Sequence, residues 1–249
     1  MPELVYPPVI AAAKTMFRVL DLKLTVEGSH HVPRAGGAVL ASNHVSYLDF
    51  IFCGLGALES GRRVRFMAKD SVFRHRVSGP LMRGMRHIPV DRRAGAESYA
   101  AAVAALRAGE VVGVFPEATI SRSFTVKELK SGATRMAREA AVPVLPVALW
   151  GTQRLWTKGR PRTLTRRHTP ITVLVGESMD PAAYPDAAAM SVELGERLHA
   201  LVERAQREYP DQPTGPTERW WLPAHLGGTA PTPEQAAALD ASAHRPHPA

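Results

Sequence analysis

The chain is expected to fold as one α/β domain, a mostly parallel central sheet flanked by helices. Three observations lead there. Short β-like apolar runs alternate with helical patterns of about ten to fifteen residues, the signature of crossover units between parallel strands. The runs themselves are nearly continuous in apolar residues, as in Val111–Phe115 (VVGVF) and Val144–Leu149 (VLPVAL), which suits strands buried on both faces. The 249 residues show no repeat at a solenoid period and no long linker before position 210, so one large core fits better than two small ones.

The elements follow in order. Val9, Ile10, Ala13, Met16, Phe17 and Leu20 recur at helical spacing with Lys14, Arg18 and Asp21 opposite, which makes residues 1–21 an amphipathic N-terminal helix. Two placements are open to it, in a membrane interface or against the protein's own sheet. Strands are expected at Leu22–Val26, Ala38–Ser42, Val64–Met67, Arg86–Val90, Val111–Phe115, Val144–Leu149 and Ile171–Val175. Helices are expected at Tyr47–Leu58, Ala94–Ala108, Ser131–Ala141 and Asp186–Tyr209. Residues 22–210 thus form the domain, with ligands expected at the carboxyl ends of its strands. Residues 211–249 are rich in Pro, Gly and Ala and read as a loose tail, in which Trp220-Trp221-Leu222 either docks on the domain or touches an interface.

The net charge of +8 is concentrated. Residues 62–93 carry ten Lys or Arg against Asp70 and Asp91, and the remainder is neutral. Such a block predicts an anionic partner: phosphate groups, an acidic membrane surface or nucleic acid. Its arginines are interleaved with apolar residues in RVRFMAKDSVFRHRVSGPLM, the pattern of an interfacial segment, and no nucleic-acid motif accompanies them, so no nucleic-acid partner is expected. A single cysteine, Cys53, excludes a disulfide framework and a Cys-based zinc cluster, and no metal site is expected. No apolar run approaches the ~18 residues of a membrane span, and the start, with Pro2 and Glu3, does not read as a signal peptide.

The stretch NHVSYLDF, residues 43–50, is the first chemical candidate. Five residues on one regular helix set side chains about 140° apart, so His44 and Asp49 meet only if His44 lies on the loop before the helix. Ser46 as N-cap with Asp49 at N3 would place the helix start after Ser46 and leave His44 at the end of a strand. Asp49 is then either the orienting partner of a general base or only a capping acid.

Three further stretches accompany it: GMRHIPVDR at Gly84–Arg92, VFPEATISRS at Val114–Ser123 and VPVLPVAL at Val142–Leu149. Together with NHVSYLD they resemble, in order and approximate spacing, the four sequence blocks of glycerolipid acyltransferases of the lysophosphatidic acid acyltransferase type, from about Leu22 to Gly176. The resemblance implies a glycerol-phosphate acyltransferase-like fold, with His44 as general base, Asp49 as its partner and Asn43 on the substrate side. Arg92 would bind the acceptor's phosphate. In the third block, usually F-P-E-G-T-R-S, Glu117 and Thr119 match while Ala118 and Ile120 replace glycine and arginine, so Arg122 is the expected substitute for the phosphate contact. Lys69 and Lys130 resemble basic positions beside these blocks, and Pro143 and Pro146 belong to the block associated with the acyl-donor side.

The implied reaction is transfer of a fatty acyl group from acyl-CoA or acyl carrier protein, a co-substrate with no further cofactor, to a hydroxyl of a lysophospholipid acceptor, most simply lysophosphatidate. The implied place is the cytoplasmic face of a membrane with an anionic surface, bound peripherally or monotopically. The competing reading is a thioesterase, or transfer to glycerol 3-phosphate or another lysolipid. Against a hydrolase, there is no G-x-S-x-G elbow and no recognisable His partner for Cys53.

Overall fold

The computed structural model describes residues 4–91 and 95–242. Seven strands form one sheet: β1 Lys23–Glu27, β2 Ala38–Ser42, β3 Val64–Lys69, β4 Ile88–Val90, β5 Val111–Val114, β6 Val144–Trp150 and β7 Pro170–Val175. Their order across the sheet is β1-β7-β6-β2-β5-β3-β4. All neighbours are parallel except β6 and β7, so β1 and β7 run against the other five. The expected strands are all present. The antiparallel step has a local cause: β6 and β7 are joined by loops and a short 3-10 turn, Thr152–Arg154, rather than by a crossover helix.

Two helical layers cover the sheet. On one face α1 (Tyr6–Val19) and α2 (Asp49–Leu58) bring Phe17, Phe52 and Cys53 onto Leu40, Val111, Leu145 and Val173. On the other, α5 (Gly95–Arg107), α6 (Gly132–Ala140) and α7 (Ala187–Arg207) bury Leu106, Met136 and Met190 against Val39, Ala41, Val112 and Val144. Leu40 and Val111 thus point one way and their neighbours Val39, Ala41 and Val112 the other, the period of two of a pleated strand. Two short helices, α3 (Asp70–Arg74) and α4 (Ser78–Gly84), lie between β3 and β4; at five and seven residues they carry too little periodicity to be read from sequence.

α1 takes the second of its two placements. Phe17 stacks on Phe52 with centroids 5.0 Å apart, and the Tyr6 hydroxyl donates to Val64 O at 2.6 Å. Much of the basic block is likewise spent inside the fold. Arg62 donates to the carbonyls of Pro33, Gly36 and Gly109, Arg83 to Phe73 O, and the buried Arg65 to Met85 O while pairing with Glu110, which Arg86 also approaches. These four arginines cap backbone carbonyls or lie against Glu110, so part of the block expected to meet an anionic partner is instead engaged within the fold.

His87 sits among them. Its Nδ1 accepts the Phe66 N–H at 3.0 Å, which only an unprotonated Nδ1 can do. Burial, reinforced by the charge of Arg65, pushes its pKa from 6.5 down to about 4. Between those values the unfolded chain takes up a proton that the folded chain refuses, so stability is complete above 6.5 and is lost as pH falls toward 4. The loss should reach about 3 kcal/mol. His87→Asn keeps an acceptor for the same N–H but does not titrate. Urea unfolding at pH 7.5 and 4.5 should show a steeper acid loss in the wild type than in this variant by most of that amount.

The C-terminal segment differs from its expectation. Instead of a loose tail, residues 216–221 and 224–226 form 3-10 turns and Pro233–Ser242 forms α8. Trp221 is the anchor: it is buried, edge-on to Tyr209 at 5.5 Å, with the Arg154 guanidinium 4.6 Å from its ring. Arg154 in turn donates to the Tyr209 hydroxyl and pairs with Asp211. Composition signals a lack of apolar residues in the tail but carries no trace of this pocket, which the body of the domain supplies.

Candidate active site

The site lies at the carboxyl ends of β2, β5 and β6. After Ser42 the chain leaves β2, and Asn43 fastens the turn: its amide accepts from Leu149 N at 2.7 Å and donates to Leu149 O at 3.0 Å. Asn43 is 1% exposed, so it braces β2 to β6 rather than facing a substrate. The next residue is His44, 20% exposed at its side chain, and its backbone is held from both ends. Its N–H donates to Glu117 Oε1 at 2.8 Å and its carbonyl accepts from Ser121 N at 2.7 Å.

α2 begins at Asp49, later than the expected start after Ser46. Ser46 still organises the entry, since its hydroxyl accepts from Leu48 N and donates to Trp156 O. The difference arises because Asp49 folds back on the loop it follows. Its Oδ2 accepts from Val45 N and Ser46 N, both at 2.7 Å, and lies 2.9 Å from His44 Nδ1. Its Oδ1 accepts the Thr152 hydroxyl at 2.6 Å. One fully buried carboxylate thus both braces the loop and contacts the imidazole. An oxygen already taking two N–H groups draws a hydrogen from the imidazole as well, so Nδ1 carries the proton and Nε2 keeps its lone pair.

Thr152 is a contributor that sequence reasoning missed. It follows Gly151, whose φ of 92° is a left-handed turn, and a Cβ there would meet Pro170 O at 2.1 Å. That turn ends β6 and aims the Thr152 hydroxyl at Asp49. Beneath His44 the support is aromatic: the imidazole stacks on Phe115 at 4.2 Å, and Phe115 lies parallel to Phe66 at 6.1 Å. Phe66 fits over β5 because residue 113 is glycine; a Cβ there would approach its ring within 2.4 Å. Behind this stack Phe66 lines an apolar cavity with Phe50, Ile51 and Leu55 of α2 and Val9 and Ile10 of α1.

The third block closes the site from the side. Glu117 is buried, with Oε1 on His44 N and Oε2 accepting Lys127 N at 3.1 Å. It is a positioning bracket for His44, not the substrate contact expected of it. Burial pushes its carboxyl up to about 8, although both N–H groups and the Lys127 charge favour the carboxylate. Ala118 holds a φ of 61°, a left-handed conformation that a glycine, the residue usual in this block, takes without a Cβ penalty. Ile120 is 5% exposed, so the position of the family's arginine is here a core side chain. Thr119 and Arg122 belong instead to a basic cluster. Lys127 Nζ donates to Thr119 Oγ1 at 2.8 Å, and Arg122, Lys127 and Lys158 all bond to Asp240 of α8.

The remaining expected residues scatter. Lys69 ends β3 opposite Val90, at the same edge of the sheet as His44 but two strands from β2. Arg92 lies outside the described residues. Lys130 is exposed, and the lysine that reaches the cluster is Lys127, three positions earlier. Pro146 pairs opposite Ala41 inside the sheet, and Pro143 accepts from Val39 N at the far end of β2 from His44. Pro143 lies away from the His44 end, and Pro146, near that end, is buried within the sheet, so neither is exposed there for the expected acyl-donor contact. Pro146 lies between the Val144–Met179 bridge and the β6–β7 ladder, where its carbonyl still accepts from Gly176 N.

Cys53 is no nucleophile for a thioesterase. It is fully buried, and burial together with the nearby Asp49 charge pushes its thiol far up. Among the described residues no group of His, Cys, Asp and Glu could hold a metal ion.

A histidine held by a buried aspartate at the carboxyl ends of a mostly parallel α/β sheet is the arrangement of an α/β enzyme, in which ligands bind at that edge. The family model described as Acyltransferase matches residues 23–150, from the start of β1 through the end of β6. The chain belongs to the acyltransferase family and is an acyltransferase. It is 28% identical over 195 residues to the 1-acyl-sn-glycerol-3-phosphate acyltransferase of Bacillus subtilis, covering 74% of this chain and 91% of that protein. To the protein of the same name from Borreliella burgdorferi it is 29% identical over 152 residues, spanning 59% of each. The fold is similar to that of the crystal structure of the 1-acyl-sn-glycerophosphate acyltransferase PlsC from Thermotoga maritima, with a TM-score of 0.70 at 24% identity over 82% of this chain and 81% of that one.

Proposed function

We propose that the protein transfers a fatty acyl group from an acyl thioester, acyl-CoA or acyl carrier protein, to the free hydroxyl of lysophosphatidate, giving phosphatidate. One observation carries the mechanism: Asp49 gathers four donors, one of them His44 Nδ1, and leaves His44 Nε2 as the accepting nitrogen. Nε2 takes the proton as the acceptor's oxygen attacks the thioester carbonyl. The tetrahedral intermediate collapses, the C–S bond breaks, and the imidazolium returns the proton to the departing thiolate. The products are an ester and a free thiol, with no covalent acyl-enzyme. Base catalysis of this kind supplies about 10²–10⁴-fold, and alignment of the two substrates adds to it.

Three features support the substrate assignment. The relatives' names specify this acceptor. The basic cluster at Thr119 suits a phosphate beside the base. The apolar cavity behind the Phe66–Phe115 stack suits an acyl chain. We assign the enzyme to the cytoplasmic face of an anionic membrane. No helix among the described residues is long and apolar enough to cross one. Val77 and Leu81 stand 69% and 41% exposed beside Arg74 and Arg76, an apolar and basic patch fit for the interface, each charge contributing ~1 kcal/mol near anionic lipid.

An acceptor panel tests the assignment. Thiol release from palmitoyl-CoA should be fastest with lysophosphatidate, slower with glycerol 3-phosphate and slowest with lysophosphatidylcholine. Equal kcat/KM for lysophosphatidate and lysophosphatidylcholine would remove the phosphomonoester from the account.

A further inference from the structure

Asp240 lies on α8, 118 residues from Arg122, yet three cations from the catalytic end of the sheet converge on its carboxylate. Arg122 Nε reaches Oδ1 at 3.0 Å, Lys158 Nζ reaches Oδ1 at 2.6 Å, and Lys127 Nζ reaches Oδ2 at 3.2 Å. The cluster is one connection from the base, because the Lys127 backbone N–H bonds the same Glu117 carboxylate that holds His44 N. Among the described residues, three positive charges meet one negative charge there. A phosphomonoester, with about −1.5 to −2 charges and three acceptor oxygens, would satisfy these donors better than a carboxylate can.

The helix that delivers the carboxylate is otherwise weakly held. Its buried residue is Ala236, while Leu239 stays 44% exposed. Its tether is firm: Trp221, packed between Tyr209 and Arg154, fixes the start of the segment and keeps α8 near the cluster. Burial alone would raise the Asp240 carboxyl, but the hydrogen bonds from Lys158, Arg122 and Lys127 outweigh it and hold it down to about 2. The carboxylate is therefore charged at every pH at which the enzyme would be assayed.

We infer that Arg122, Lys127 and Lys158 form the subsite for the acceptor's phosphate, and that Asp240 fills it as an internal surrogate that must leave before the acceptor binds. This rests on the acceptor being a phosphomonoester, as argued above. It gives Arg122 the place vacated by the arginine-to-Ile120 exchange and adds two lysines from outside the family's blocks. It also makes α8 a competitive latch, so the apparent acceptor affinity is the intrinsic one reduced by the fraction of molecules with the latch open.

The test uses the full chain with Asp240→Asn, a near-isosteric change on a partly exposed helix. For a latch closed in about nine-tenths of molecules, the KM for lysophosphatidate should fall about tenfold while kcat and the KM for palmitoyl-CoA stay unchanged. Arg122→Gln should instead raise the lysophosphatidate KM. A second readout needs no turnover: in the wild type, adding inorganic phosphate or glycerol 3-phosphate should speed amide exchange in residues 233–242, and sulfate-free sodium chloride at equal ionic strength should not. An unchanged or raised lysophosphatidate KM in Asp240→Asn would overturn the latch, as would a fall confined to the KM for palmitoyl-CoA. Phosphate-driven release of α8 in an enzyme indifferent to the acceptor's phosphate would keep the anion site and the latch but sink the acceptor assignment, so the two failures are distinct.

Discussion

Replacing His44 by Ala is expected to lower kcat with lysophosphatidate by about 10²–10⁴ and to leave the fold intact. The separation of these effects follows from how the residue is held. Its backbone is fastened by Glu117 and Ser121, and neither bond involves the imidazole. The side chain itself is one-fifth exposed and lies on Phe115, so truncation opens a solvent-facing gap rather than a core cavity. Asp49 loses one donor but keeps Val45 N, Ser46 N and the Thr152 hydroxyl, so its burial remains compensated. Steady-state kinetics together with a thermal melt check both halves. A large drop in melting temperature would mean that the loss of activity reports structure.

Asp49→Asn should cost about 10²–10³ in kcat through charge alone. Two backbone N–H groups converge on the Oδ2 position, so an amide will place its oxygen there and its NH₂ toward Thr152. The threonine hydroxyl can reverse and accept. His44 Nδ1–H keeps its partner and the tautomer is preserved; what disappears is the negative charge that stabilises the imidazolium formed during transfer. Asp49→Ala is a different experiment. It strands two buried backbone N–H groups at about 1–3 kcal/mol each and should unfold more readily as well as lose activity. A thermal melt distinguishes the two: Asp49→Asn should melt close to the wild type, and Asp49→Ala well below it, because only the alanine leaves the Val45 and Ser46 N–H groups without an acceptor.

The contrast between these variants also shows what was legible in the sequence. Strands buried on both faces spell themselves out as apolar runs, and β2, β5 and β6 stand where those runs predict. His44 and Asp49 could be paired because both lie within one strand-to-helix turn, where spacing limits the geometry. α2 starts later than a capping pattern predicts because Asp49 folds back to brace the loop and to reach His44 Nδ1, and a capping pattern describes only the brace. Thr152 stands 103 residues from Asp49, and Asp240 stands 118 from Arg122. Such partners are brought together by the order of strands in the sheet and the path of the tail, which local periodicity does not encode. The same holds for Lys127 over Lys130: both lie in one loop, and only the loop's closure onto Glu117 and Pro116 decides which side chain faces Thr119. The basic block misled for a related reason. Charge counts do not reveal that Arg62 is spent on three backbone carbonyls and that Arg65 is buried against Met85 O and Glu110.

The central claim is that His44 activates an acceptor hydroxyl and that the acyl group passes directly to it. The most direct measurement is thiol release from palmitoyl-CoA, followed with and without lysophosphatidate in the wild type and in His44→Ala. The account predicts release in the wild type that depends on acceptor and matches phosphatidate formed mole for mole, with near-background release in the variant. Undiminished acceptor-dependent release by His44→Ala, or wild-type release at the same rate without acceptor, would contradict it.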